Sequence, residues 1–387
     1  MRLYNLIKEL SRKHEITLIC EKRLHQTSED IKEVEKICKK VVTVERRKQW
    51  SLKNMVKSAF SSHSFLVTGH MQAEMQEKIR EELGGTSFDI IHVETFYVMG
   101  NLLDARLKTQ DVRRTPIVLA EHNIEYQVYQ RFVDGAPLFM HPLLSLDVAK
   151  IKQEERAAWG DAARVVAVSD SDKAVIEEGG IEAALVANGV NVEEFGLTPL
   201  RERSAGHERK ILFIGDFKWV QNRDSVEFII KEIWPLLRER SAGQALKLWI
   251  VGRSIPDSIK NLIDDSDVIF DEESSGRLTP EIFQEADILL APIRVGGGTS
   301  YKILESMACG TPVVTMQMSA SAIGAKDGED LMVGQTAREL AEKTIVLLQD
   351  QKTYEKIATN GRKLIEEKYS WKMIAMELEK VYLSLIH

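Results

Sequence analysis

Cysteine is scarce in this chain: Cys20, Cys38 and Cys309 are the only three in 387 residues. They are too few and too scattered for a disulfide framework or a zinc site. No apolar run approaches the roughly 20 residues needed to cross a bilayer, and the amino terminus lacks the apolar core of a signal peptide. Positive charge is not in excess either. The formal net charge of −7 argues against nucleic acid as a general partner. No stretch is of low complexity, and 44% hydrophobic with 29% charged residues is the balance of a globular protein. The length suits two domains of ordinary size, each able to bury its own core. A reducing cytoplasm is the expected location, with work on any membrane-bound partner done from the inner face of the membrane.

What is present centres on residues 284–315, QEADILLAPIRVGGGTSYKILESMACGTPVVT. Ile288–Ala291 is a short apolar run without polar alternation, as a strand covered on both faces should be. Residues 295–300, Val-Gly-Gly-Gly-Thr-Ser, then open a helix over 301–308, stopped at Gly310 and Pro312. Gly296, Gly297 and Gly298 let backbone come close to a ligand, and with Thr299 and Ser300 they place free N–H groups and a helix dipole where a phosphate would sit. Lys302 and Glu305 are three apart and share a helix face. A cation there suits a diphosphate, and a carboxylate one turn deeper suits the two hydroxyls of a ribose. Taken singly, a glycine run is a flexible loop and such a Lys–Glu pair a solvated one; the strand before and the helix after make the difference.

The remainder is a rhythm of strands and helices. Residues 1–14 read as an amphipathic helix with Leu3, Leu6, Ile7 and Leu10 on one face, followed by strands at 16–20, 41–44, 89–93, 117–120 and 165–168. Alternation of this kind means parallel strands with crossover helices. His122 and Asn123 follow directly on one strand and Glu94 on another, at the carboxyl ends that face a cleft. His92, inside its strand, reads as packing. Residues 45–65 interleave Arg46, Arg47, Lys48, Lys53 and Lys57 with aromatics, so peripheral contact with anionic lipid is a candidate role beside that of an ordinary exposed helix. Residues 198–209 are polar and read as a linker. A second rhythm follows, with strands at 211–214, 246–251 and 268–270. Gly215, Lys218 and Arg223 come after the first of these, Gly252 and Arg253 after the second, and Glu272, Glu273 and Ser274 after the third. Trp371, Ile374, Leu378 and Tyr382 recur at helical spacing and read as packing.

The segment GGGTSYKILESMACGTPVV resembles the carboxyl-terminal signature of the group 1 (family 4) glycosyltransferases. The resemblance is strong over residues 210–333 and collinear before them. It implies an α/β fold of two Rossmann-like domains facing across a cleft, the GT-B architecture. Residues 1–195 would form the acceptor-side domain, 208–367 the domain binding a nucleotide-sugar donor, and 368–387 a helix returning to the first. Members place a strand and a Pro/Gly-rich loop just before a segment like residues 2–19. This chain is therefore expected to begin just after that loop, without a central strand and one wall of the acceptor site. The resemblance assigns Glu305 to the nucleotide ribose, the glycine loop and Lys302 to the diphosphate, and His122 to the donor sugar. It places Gly215, Gly252 and Arg253 around the donor and makes Glu94 and Asn123 acceptor-side candidates.

Two positions depart from the family pattern. Gly297 stands where most members carry a second glutamate, and Asp216 where an arginine grips the diphosphate, so Lys218 or Arg223 would have to supply that charge. The activity implied is transfer of a hexosyl or related group, with retention, to an acceptor hydroxyl of a sugar or lipid-linked acceptor in polysaccharide or glycolipid assembly. No cofactor is expected, because the nucleotide-sugar is a co-substrate. No Asp-x-Asp motif ends a strand, so no catalytic metal is expected, and no dedicated nucleophile is evident. The alternatives are a binding subunit without turnover, or an epimerase or phosphorylase of the same plan. The epimerase would need acidic residues for proton transfer at carbon and the phosphorylase a lysine-bound pyridoxal phosphate.

Overall fold

The computed structural model describes residues 2–49, 51–106, 115–196, 208–241, 243, 245–276, 279–294 and 299–386. Gly296, Gly297 and Gly298, with most of the expected linker, lie outside the described residues. The chain divides into two compact units, Met1–Val186 with Ala375–His387, and Ala187–Ile374. The first boundary lies ahead of the expected residue 195 because residues after 186 are bonded into the second unit. Val190 N–H donates to Tyr369 O at 2.8 Å, and the Arg362 guanidinium donates to Val192 O at 2.8 Å.

In the first unit, helix α1 (Arg2–Leu10) buries Leu6, Ile7 and Leu10, the face its spacing predicts. Strands β1 (Thr17–Lys22) and β2 (Lys40–Glu45) pair in parallel with each other. Helices α2 (Leu52–Ala59) and α3 (Phe65–His70) follow. A second parallel sheet is formed by β3 (Ile91–Glu94), β4 (Ile117–Glu121), β5 (Arg164–Ala167) and β6 (Ala183–Leu185), in that order. Between β4 and β5 run α4 (Glu125–Asp134) and the long α5 (His141–Asp161). Among the described residues the unit's strands thus make two separate sheets. β6 is a three-residue strand too short to announce itself by periodicity.

The second unit is one six-stranded parallel sheet built from β7 (Arg209–Asp216), β8 (Leu246–Arg253), β9 (Val268–Asp271), β10 (Ile288–Ala291), β11 (Val313–Thr315) and β12 (Met332–Val333). Their order is β12-β11-β10-β7-β8-β9. The chain starts in the middle at β7, builds outward one way through β8 and β9, then returns to build the other way from β10. That is the doubly wound order, with its switch point between β7 and β10. Alternate strand residues feed opposite faces. Ile211, Phe213, Leu248, Ile250, Ile288 and Leu290 pack on one side, while Leu212, Trp249, Val251 and Leu289 pack on the other. Helix α6 (Val220–Phe228) follows β7, and α7 (Tyr301–Ala308) follows β10. The final helix, α8 (Trp371–Ile386), buries Trp371, Ile374 and Leu378 as its spacing predicts.

Candidate functional site

The stop of α7 is chemically well defined. Gly310 adopts φ 72°, its N–H donates to Met307 O at 3.0 Å, and Thr311 N–H donates to Ser306 O at 2.9 Å. These two bonds satisfy the helix's last carbonyls in a Schellman arrangement. With both strand and helix end fixed, the start of α7 is held over the switch point. There the carboxyl ends of β7 and β8, the segment after β10 and the first turn of α7 enclose a cavity of about 620 Å³. Its lining includes Gly215, Gly252, Arg253, Thr299, Ser300, Lys302 and Glu305, seven of the residues singled out in the sequence. Lys218 and Arg223 do not line it. Lys218 is exposed, and its N–H donates to the Asp216 carboxylate at 2.9 Å. The family's arginine position is therefore an acidic turn cap that itself faces the cavity.

Lys302 is fixed by a network that its own sequence neighbourhood does not reveal. Its ammonium donates to Asn222 Oδ1 at 2.7 Å and sits 4.1 Å from the centre of the Phe213 ring. The other end of that amide donates to Asp216 O at 2.8 Å, which sets its orientation. Gly215 makes room for this amide: a Cβ there would lie 2.7 Å from Asn222 Cγ. Gly252 is more tightly confined, since its Cβ would lie 2.0 Å from Gly215 O in the adjacent strand. Both glycines therefore bring backbone close to backbone or amide at the rim.

The electrostatics of the pair are unusual for groups on one helix face. Burial pushes the Lys302 ammonium down to about 7, against the pull of Glu305. Burial and the nearby Glu194 charge push Glu305 up to about 7, against the pull of Lys302. Each group is held ready for a partner that would restore its charge. Among the described residues no hydrogen bond reaches the Glu305 carboxylate, and the buried Thr299 hydroxyl has no partner. Arg253 Nη2 lies 3.5 Å from Ser275 O on the cavity's rim. Glu272 is already engaged by Ile255 N–H at 3.0 Å and by Lys260 at 2.7 Å, so Ser275 and not Glu272 faces the cavity from this turn. Arg294, just before the glycine loop, grips Asp224 with two bonds of 3.1 and 2.7 Å and lies over Phe228.

In the first unit, His122 and Glu94 meet at the ends of β4 and β3. His122 Nε2 bonds one oxygen of Glu94, His92 Nε2 bonds the other at 3.1 Å, and His92 Nδ1 is 2.8 Å from the Tyr382 hydroxyl on α8. Burial alone would raise the Glu94 carboxyl, but the two imidazoles outweigh it and hold it well below the usual range. An ionised Glu94 only accepts, so each Nε2 must carry its proton, and the neutral form of His92 then accepts from Tyr382 at Nδ1. His92 and Tyr382, which pattern alone reads as packing, are thus polar members of a relay. His122 is its more exposed end, and its Nδ1 makes no hydrogen bond among the described residues. Thr95, the next residue after Glu94, has φ 73°, a region that β-branched residues rarely adopt. Asn123 is exposed, with its side chain bonded to Glu125.

Comparison with known proteins assigns this arrangement. Residues 1–194 match Glycosyltransferase Family 4, and residues 208–350 match Glycosyl transferases group 1. The chain belongs to the group 1, family 4 glycosyltransferases. A phosphatidyl-myo-inositol mannosyltransferase of Mycobacterium leprae is 26% identical over 227 residues, 56% of this chain and 58% of that one. The matched region thus spans little more than half of that relative. An uncharacterized glycosyltransferase of Methanocaldococcus jannaschii is 26% identical over 341 residues, 82% of this chain and 81% of that one. Among solved structures, sucrose-phosphate synthase from Thermosynechococcus elongatus has a TM-score of 0.67 at 16% identity, covering 99% of this chain and 92% of its own. Anabaena HepE in complex with UDP and glucose has a TM-score of 0.64 at 13% identity, covering 98% and 95%. The chain has the GT-B fold, as its signature implies. No helix among its described residues is long and apolar enough to cross a membrane.

Proposed function

We propose that the second unit binds a nucleotide-diphosphate sugar and that the protein transfers its glycosyl group, with retention, to an acceptor hydroxyl. The observation that carries this reading is the cavity at the switch point, where Lys302, Glu305 and the Thr299 hydroxyl have bonding capacity that no neighbour among the described residues uses up. The diphosphate takes Lys302, Thr299 and the glycine loop. The ribose hydroxyls donate to Glu305. Both ligands reverse the effect of burial, because a diphosphate favours the ammonium and hydroxyl donors favour the carboxylate.

In the transfer, the bond from the anomeric carbon to the phosphate oxygen breaks and the acceptor oxygen bonds to the same face. The acceptor proton passes to the departing phosphate oxygen. Negative charge gathers on the diphosphate as it leaves, so Lys302 and the α7 start stabilise the transition state more than the ground state. These are the chain's own groups. In the first unit, His122 accepts a sugar hydroxyl at Nδ1 while Glu94, His92 and Tyr382 hold the ring; these three are positioning residues. Polysaccharide or glycolipid assembly is the expected setting: the relatives include a capsular polysaccharide biosynthesis glycosyltransferase of Staphylococcus aureus, 26% identical over 151 residues.

A second reading, a binding subunit without turnover, is favoured by Asp216 where the family's arginine would stand. Turnover separates the two. Incubation with UDP-, GDP- and ADP-sugars and a panel of sugar and lipid-linked acceptors, with EDTA present, should yield a product whose anomeric configuration by NMR matches the donor. Inversion would overturn retention. Nucleotide binding without any product would favour the binding subunit.

A further inference from the structure

The turn after β7 offers the cavity two groups, Asp216 and Trp219, to which the donor reading gives no partner. Both line the cavity, together with Gln221 and Asn222 of the same turn. The backbone here is closely fixed. Phe217 N–H donates to Arg253 O of β8 at 3.0 Å, Trp219 N–H to Asp216 O at 3.2 Å, and Asn222 N–H to Trp219 O at 3.2 Å. The Phe217 side chain is buried, its ring 6.2 Å from that of Phe213, and anchors the turn in the core. On this rigid base Trp219 is 60% exposed, whereas Trp159, Trp234, Trp249 and Trp371 are each at most 5% exposed. A large apolar ring held out to water at the rim of a polar cavity suits a ligand that can cover it.

Asp216 supplies the polar complement. Its Oδ1 accepts the Lys218 N–H at 2.9 Å, and among the described residues nothing bonds its Oδ2. Arg253 is its register partner on β8, yet no ion pair joins the two, because Arg253 leans to Ser275 O in the turn after β9, on the far side of β8. Asp216 and Glu305 are the carboxylates of the lining among the described residues, and Lys302 connects to both. Its ammonium donates to Asn222 Oδ1 at 2.7 Å, the same amide donates to Asp216 O at 2.8 Å, and Glu305 stands one turn along α7. The cavity thus reads carboxylate, cation, carboxylate. A nucleotide-diphosphate sugar has the complementary order of ribose hydroxyls, diphosphate and glycosyl hydroxyls. With Glu305 on the ribose and Lys302 on the diphosphate, the glycosyl group falls to the turn that Asn222 ties to Lys302.

We propose that residues 216–221 form the subsite for the donor's glycosyl group, and that this subsite takes neutral hexosyl groups in preference to those bearing a carboxylate. The Asp216 carboxylate accepts sugar hydroxyls, and the Trp219 indole covers a C–H face of the pyranose ring. A uronosyl carboxylate would meet Asp216 as a like charge and could not donate to it. The proposal rests on the donor reading of the cavity and concerns binding, so it holds with or without turnover.

The test is calorimetric titration of the full chain with UDP, GDP and ADP, each alone, as its hexosyl conjugate and as the matching uronosyl conjugate, UDP-glucose and UDP-glucuronate being one such pair. In the series whose nucleotide binds, the wild type should hold the hexosyl donor about tenfold more tightly than the uronosyl one. Trp219→Ala should weaken the hexosyl donor about tenfold while leaving the nucleoside diphosphate unchanged, and Trp219→Phe should restore most of the loss. Asp216→Asn keeps an oxygen for the Lys218 N–H but removes the charge, so it should largely abolish the discrimination between the two donors. Trp219 is exposed, so circular dichroism should report an unchanged fold. Equal weakening of nucleoside diphosphate and hexosyl donor by Trp219→Ala would assign the indole to the nucleoside and overturn the proposal. Uronosyl binding by the wild type as tight as hexosyl binding would overturn it too. Binding of no nucleotide in any series would remove the donor reading itself, and this subsite with it.

Discussion

The two units hold their candidate functional groups in contrasting ways. In the second, one continuous stretch supplies strand, loop, helix and stop, and the strand order places that stretch at the switch point. In the first, four side chains are drawn from β3, β4 and α8, and the Tyr382–His92 bond joins residues 290 positions apart. A site written locally depends on backbone geometry. A site assembled from distant segments depends on tertiary contacts, so the two should fail differently when damaged.

The largest effect should come from the backbone of the second unit. Gly252→Ala would place a methyl within 2.0 Å of Gly215 O, backbone that cannot move without shifting β7. It should cost about 3 kcal/mol or more of stability by denaturant unfolding, the upper range for overpacking. The relay should respond oppositely, with function falling more than stability. Glu94→Gln keeps the shape but presents a donor as well as an acceptor to two imidazoles. It should lower turnover by about a hundredfold, a usual scale for a misplaced proton-handling group, and alter the pH profile. Tyr382→Phe removes one hydrogen bond and should cost only about 1 kcal/mol in stability, with a small loss of turnover. Equal losses of turnover and stability in Glu94→Gln would reduce the relay to packing.

A smaller effect is expected at Asn222. Asn222→Ala removes the amide that orients Lys302 and should weaken nucleoside diphosphate binding roughly tenfold, about 1.4 kcal/mol, by calorimetry. The subtlest effect is on pH. Glu305 is raised, so the folded protein holds its proton over the window from about 4.5 to 7, and that contribution to stability is lost as pH rises through it. Lys302 is lowered, so the unfolded chain holds more protons from about 7 to 10.5, and stability recovers as pH rises through that window. The pair's contribution to ligand-free stability should therefore be least near neutral pH. Nucleotide affinity should peak there, with proton release on binding below pH 7 and uptake above it.

How much of this was legible in the sequence follows from the same contrast. The apolar run at Ile288–Ala291, the Lys302–Glu305 spacing and the Gly310 stop are all local, and each of these lies where its pattern indicates. Asn222 and Phe213 could not be assigned to Lys302, because only the pairing of β7 with β10 brings them together. Lys218 and Arg223 were candidate cations by position in a loop, yet neither lines the cavity; a turn capped by Asp216 keeps Lys218 outside. His92 and Tyr382 carry the periodicity of buried residues. Their polar partnership depends on α8 returning to the first unit, which no pairwise spacing encodes.

The most direct test of the central claim is a thermal-unfolding titration with UDP, GDP and ADP on the wild type, Glu305→Gln and Lys302→Met. One nucleotide at about a hundred times its dissociation constant should stabilise the wild type by roughly 2.7 kcal/mol, and either substitution should remove most of that gain while leaving the protein folded. Stabilisation of both variants as strong as that of the wild type, or none of the wild type by any nucleotide, would contradict a donor site built on Lys302 and Glu305.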